Sequence, residues 1–142
     1  MRVATSDALR YLGALATIVV GAVHLQQYAD FIADVPTIGV LFLLNGLGAG
    51  VVAILLATRR ATLGAMGAIA LSVGALVSIL TSMTATGLFG YTEPTFRFAV
   101  ILAMVAEAAA IVLLLAYLAN RHSRHPSAST GRSAERTRQA AR

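Results

Sequence analysis

Cysteine, lysine and tryptophan are all missing from this 142-residue chain, and charge is scarce, with only 12% Asp, Glu, Lys or Arg. Without cysteine there is no disulfide framework, no thiolate metal site and no cysteine nucleophile. A soluble domain carries roughly 25% charged residues, so half that level excludes an ordinary cytosolic enzyme, a wholly disordered protein and a nucleic-acid module. Also absent are a Gly-rich phosphate loop and the HExxH and GxSxG patterns, leaving no complete catalytic constellation. The chain is therefore expected not to be an enzyme, with no cofactor and no resident metal. His122 and His125, spaced i, i+3, make too poor a ligand set alone to change that.

Apolar residues are abundant: 58% of the chain is hydrophobic and the mean hydropathy is +0.78. A helix needs about 20 apolar residues, at about 1.5 Å rise, to cross roughly 30 Å of hydrocarbon. Four stretches qualify, over 9–28, 37–57, 63–89 and 96–118. Backbone groups in lipid must be satisfied internally, so such runs read as helices. The expected fold is all-α, an integral-membrane antiparallel four-helix bundle over 1–119, followed by a disordered basic tail over 120–142. Pro36 suits the first turn of the second helix. Thr92, Glu93 and Pro94 suit the opening of the fourth, and Arg59, Arg60 and Thr62 suit a tight turn.

Arginine placement sets the orientation. Four spans put Arg2, Arg10, Arg59, Arg60 and six tail arginines on one side and only Arg97 on the other. That bias is expected to place both termini in the cytoplasm. Tyr11, Tyr28, Tyr91 and Tyr117 fall near helix ends, as interfacial aromatics do. A rival topology treats 1–22 as a signal peptide cut after Val20-Gly21-Ala22, which would leave three spans. The net charge of +5 belongs entirely to the tail: residues 1–119 hold five arginines and five acids, whereas 120–142 hold six arginines and Glu135. Arg121, Arg124, Arg132, Arg136, Arg138 and Arg142 suit anionic lipid head groups, and no nucleic acid is expected as partner.

Each span carries a stripe of small residues, the means by which helices associate in lipid. Gly13, Gly21, Gly46, Gly50, Gly67 and Gly74 are the packing candidates, and one such face also suits a homo-oligomer or a larger membrane complex. The expensive residues are polar. His24, Asn45 and Glu107 form a candidate intramembrane site, with Ser78, Thr81 and Ser82 as its extension. Counting about 1.5 Å per residue puts His24, Asn45 and Glu107 within about 7 Å of one another in depth, with the three hydroxyls further out. One reading makes Glu107 a proton- or cation-exchanging carboxylate held by Asn45, with His24 relaying outward. The other has the same groups tying helices together. Gln26, Gln27, Asp30, Asp34 and Glu93 read as a solvated outer rim.

The run GAVHLQQYADFIADVPTIGVLFLLNG, over residues 21–46, resembles small four-span membrane proteins of high-GC Gram-positive bacteria. The matching residues are His24, Pro36-Thr37-Ile38-Gly39 and Leu41 to Asn45. The resemblance implies a bacterial inner membrane and draws attention to His24 and Asn45; it implies no reaction. Four-span multidrug exporters differ, carrying their membrane glutamate in the first helix. The leading functional expectation is a non-enzymatic structural, accessory or regulatory membrane subunit. The alternatives are a small proton- or cation-coupled transporter using Glu107, and a redox or quinone-interacting subunit using His24.

Overall fold

A computed structural model describes residues 2–93 and 95–123 of the chain. The protein is all-α. Helix α1 spans Arg2–Gln27 and continues as a π-helical turn, Tyr28–Ile32; α2 spans Ile38–Ala57, α3 Ala61–Ser82 and α4 Phe98–His122. Helices adjacent in sequence pack antiparallel, and α4 closes back onto α1. The four stand at the corners of a square. Across one diagonal α1 and α3 touch lightly, and across the other α2 and α4 do not touch.

What is inside and what is outside are reversed relative to a water-soluble bundle. Buried positions are mainly small or polar, among them Ala49, Ala65, Ala106, Thr17, Ser72 and Glu107. Leu12, Ile18, Leu44, Val51, Ile54, Leu63, Val77 and Val105 face outward. All four helices are long and apolar enough to cross a membrane. Large apolar side chains facing out over small-residue contacts are what lipid, as solvent, allows. These features describe a multi-pass membrane protein.

The two ends of the bundle differ. At the end carrying Arg59 and Arg60 the helices meet closely, around a cluster of Leu56, Ala61, Ala65, Ala68, Leu114 and Tyr117. Thr58 shapes the turn there: its hydroxyl donates to the Leu55 carbonyl at 2.8 Å and accepts from the Arg60 N–H at 3.1 Å. A methyl at Gly64 would lie 2.7 Å from the Leu56 nitrogen, which shows how near α2 and α3 come. Toward the other end they diverge: a methyl at Gly67 would still meet Val52 and one at Gly48 would meet Leu71, but one at Gly74 would meet nothing within 4 Å.

Several boundaries differ from those expected. The third span stops at Ser82 instead of Phe89, because residues 84–91 are turns. Positive φ at Phe89 and Gly90, with reciprocal backbone hydrogen bonds between Leu88 and Tyr91, makes a type I′-like reversal that no helix can contain. The fourth helix starts at Phe98, so Glu93 does not sit at its N-terminus. Pro36 precedes α2, whose N-cap is Thr37 at φ 66°, a costly conformation for a β-branched residue. The first helix runs longer at both ends, and α4 continues to His122, so Arg121 is helical. Beyond it, the expected tail and Arg124, Arg132, Arg136, Arg138 and Arg142 lie outside the described residues.

Of the packing glycines, Gly13, Gly21, Gly46 and Gly67 sit where a methyl would collide with a neighbouring helix, respectively at Leu114, Ala49, Leu25 and Val52. Gly50 and Gly74 do not. Gly50 lies on the outward face, and Gly74 lines the gap where α2 and α3 have separated. Tyr117 also departs from its expected place in an interfacial belt. It is 3% exposed in the tight end of the bundle, and its hydroxyl accepts from Arg121 at 3.3 Å.

Candidate functional site

The divergence of α2 from α3 opens a cavity of about 460 Å³ in the looser half of the bundle. Every helix contributes to its wall: α1 supplies Val23, His24 and Gln27, α2 supplies Leu41, Phe42 and Asn45, α3 supplies Gly74, Ser78 and Ser82, and α4 supplies Val100 and Ala103. Tyr91, Glu93 and Arg97 line its outer end. The walls are mostly apolar. Leu41, Leu44, Ala70 and Gly74 combine exposure with a place in the lining, so the cavity is open sideways between α2 and α3, toward the surface that lipid covers.

His24 occupies the inner wall. Its Nδ1 lies 2.9 Å from the Val20 carbonyl, an oxygen that can only accept, so Nδ1 carries the hydrogen. Phe42 lies against the ring, with centroids 5.0 Å apart. The other ring nitrogen, Nε2, stands 3.8 Å from Oε1 of Glu107. That carboxyl group is 0% exposed, and neither of its oxygens has a hydrogen-bond partner. The separation is within ion-pair range but longer than a hydrogen bond. Glu107 lies one helical turn beyond Ala103 and does not itself line the cavity, whereas His24, 3.8 Å from it, does.

The expected trio is thus brought together only in part. His24 and Glu107 face one another, but Asn45 does not hold Glu107. Its Oδ1 is buried without a partner, and its helix stands diagonally opposite α4, which is why the two side chains do not bond. Asn45 shares the cavity wall with His24 instead. Ser78 and Ser82 also line the cavity, whereas Thr81 does not. All three hydroxyls donate to carbonyls of their own helix, those of Gly74, Val77 and Ile79. A serine or threonine in lipid commonly satisfies itself in this way.

Sequence reasoning passed over the outer end of the cavity. Arg97 donates twice to Glu93, Nη2 to Oε2 at 2.8 Å and Nε to Oε1 at 3.1 Å, and Tyr91 donates to the same carboxylate at 2.9 Å. The Glu93 side chain is only 7% exposed, so it is not part of a solvated rim. The Arg97 guanidinium also lies 5.4 Å from the centre of the Phe31 ring, tying the start of α4 to the π turn after α1. The Glu93 N–H donates to the Ser82 carbonyl at the end of α3. Burial, and then the neighbouring Glu93 carboxylate, raise the Tyr91 pKa above the ordinary 10.0. The Glu93 hydrogen bonds likewise raise that of Arg97. The i, i+4 spacing of Glu93 and Arg97 was the available signal. Gln27 belongs to this wall as well and is buried, whereas Asp30 and Asp34 are exposed as expected.

Fold and site together define a helical multi-pass membrane protein with a side-opening internal cavity. Among the described residues no group of three or more His, Cys, Asp or Glu side chains gathers to hold a metal ion. No protein family, curated protein or solved structure matches the chain.

Proposed function

We propose that this chain is a non-enzymatic plasma-membrane subunit that binds a lipid-soluble small molecule inside its helix bundle, with both termini cytoplasmic. The observation that carries the reading is the cavity itself. Its volume of about 460 Å³ falls within the roughly 300–1,000 Å³ usual for small-molecule sites. Its walls are mostly apolar: His24, Asn45 and Gln27 offer hydrogen bonds, the Ser78 and Ser82 hydroxyls donate to their own helix, and Tyr91, Glu93 and Arg97 are bonded to one another at the outer end. The opening faces the lipid side of α2 and α3. That arrangement suits an apolar body with one polar group, arriving from the bilayer. A bundle serving only to tie other proteins together needs no such space, since close packing is what holds helices in lipid.

The test is a melting series in lipid nanodiscs against lipid-soluble compounds that share one hydrogen-bonding group: isoprenoid alcohols, quinones and long-chain amines. A compound that fills the cavity raises the melting temperature of the native chain in a saturable way. The same compound has a much smaller effect on Gly74→Leu or Ala103→Leu, each of which projects bulk into the lining. If no compound raises it, or if the variants respond as the native chain does, the cavity is not a binding site.

A further inference from the structure

The pair at the inner wall of the cavity has a proton count that its geometry dictates. Nδ1 of His24 is committed to the Val20 carbonyl, so only Nε2 is available toward Glu107, with Oε1 at 3.8 Å. One proton between these two atoms gives either a carboxylic acid facing a neutral imidazole or a carboxylate facing an imidazolium. Moving between the two breaks one O–H bond and forms one N–H bond, and both arrangements are net neutral. With no proton the site holds a bare carboxylate that is 0% exposed and without a hydrogen bond. With two it holds an uncompensated imidazolium. Either excess charge is costly away from water.

Among the described residues no other titratable group stands close enough to compensate such a charge. Helices α2 and α3 carry no acidic, basic, His or Tyr side chain. The remaining titratable residues of α1 and α4 lie near their far ends, at Arg2, Asp7, Arg10, Tyr11, Tyr117, Arg121 and His122. Tyr28 is one turn beyond His24, with Asp30 exposed after it. Glu93, Arg97 and Tyr91 face the same cavity from its outer end but are bonded to one another. His24 lines the cavity and Glu107 does not, and the imidazole is the ionisable lining group that faces Glu107.

We propose that His24 and Glu107 form a binding site for a single proton, exchanged with the cavity through Nε2 of His24. The site goes beyond small-molecule binding and stands without it, because it needs no ligand to exist or to be measured.

The test uses the full chain in lipid nanodiscs with carbon-13 glutamate and nitrogen-15 histidine. Three glutamates and three histidines are present; Glu107→Gln and His24→Phe identify the Glu107 and His24 signals by their loss, and Glu135→Gln, His122→Gln and His125→Gln, all remote from the cavity lining, remove the other signals one at a time. At neutral pH the expected result is one proton in the pair, seen as acid with neutral imidazole or as carboxylate with imidazolium. A carboxylate with neutral imidazole, or an acid with imidazolium, overturns the proposal. For the route, transfer into deuterated buffer should exchange the Glu107 carboxyl at least about tenfold more slowly in His24→Phe, which removes the relaying base. An unchanged exchange rate there overturns passage through His24.

Discussion

Glu107 faces one polar neighbour, His24, and two substitutions that remove its carboxyl group should separate polarity from shape. Glu107→Ala leaves His24 facing a void and should destabilise the protein by about 2–5 kcal/mol, the range for truncating a large buried side chain. Glu107→Gln keeps the volume and a donor for Nε2, and should cost markedly less. Reversible unfolding in detergent micelles would compare them, and equal losses would contradict the pairing. The glycines make a second contrast. Gly21→Val drives carbon into Ala49 and the Gly46 carbonyl and should cost about 1–3 kcal/mol as overpacking. Gly50→Val enters open space and should fall within about 0.5 kcal/mol of native, apart from its helix propensity. The sequence identified His24 and Glu107 because an ionisable group in an apolar run is conspicuous. It did not show that Asn45 stands across a diagonal from Glu107, because depth along a helix says nothing about which corner of the bundle that helix occupies. The same limit hid the difference between Gly46 and Gly50: both belong to one GxxxG pattern, but only one faces a neighbour.

The segment between α3 and α4 is built around the Glu93 carboxylate, which accepts from Tyr91 and Arg97 while its backbone N–H holds the end of α3. Tyr91 has a raised pKa, so its contribution to stability is fully present below about pH 10, its ordinary value. That contribution is lost as pH rises through the higher folded value. Arg97 is raised in the same sense, so nothing in this pair weakens near neutrality. Glu93→Gln should move the Tyr91 midpoint partway back toward 10.0, since burial is the larger cause and remains. An ultraviolet phenolate titration, with Tyr91→Phe to identify the signal, checks this; an unmoved midpoint would contradict the contact. Helix existence was plain in the apolar runs. The end of the third helix was not, because residues 83–89 are as uncharged as the span before them and only Gly87 and Gly90, both at positive φ, mark the turns. Thr58 was overlooked for a similar reason, since a hydroxyl that caps a turn looks like any other polar residue beside two arginines.

Across the whole molecule the arrangement is polarised, with tight small-residue packing at the Arg59 end and a cavity at the Arg97 end. Short connections and four spans put the start of α1, the Arg59–Arg60 turn and the end of α4 at one end of the bundle. The proposed cytoplasmic placement of that end rests on the arginine bias. The natural absence of cysteine makes this easy to check. Thr86→Cys should react with an impermeant thiol reagent from outside intact cells, and His122→Cys only after the membrane is opened. The reverse pattern would invert the topology. The membrane character of the chain was legible from composition alone, whereas the cavity was not. It arises because α2 and α3 part beyond Gly67, and that parting depends on which side chains meet across the gap.

The central claim is that this space holds a lipid-soluble molecule, and native mass spectrometry of the protein released gently from its own membrane tests it most directly. The account predicts a stoichiometric small apolar adduct on the native chain, absent or strongly reduced on Gly74→Leu. Bare protein in both, or the same adduct in both at the same occupancy, would contradict it.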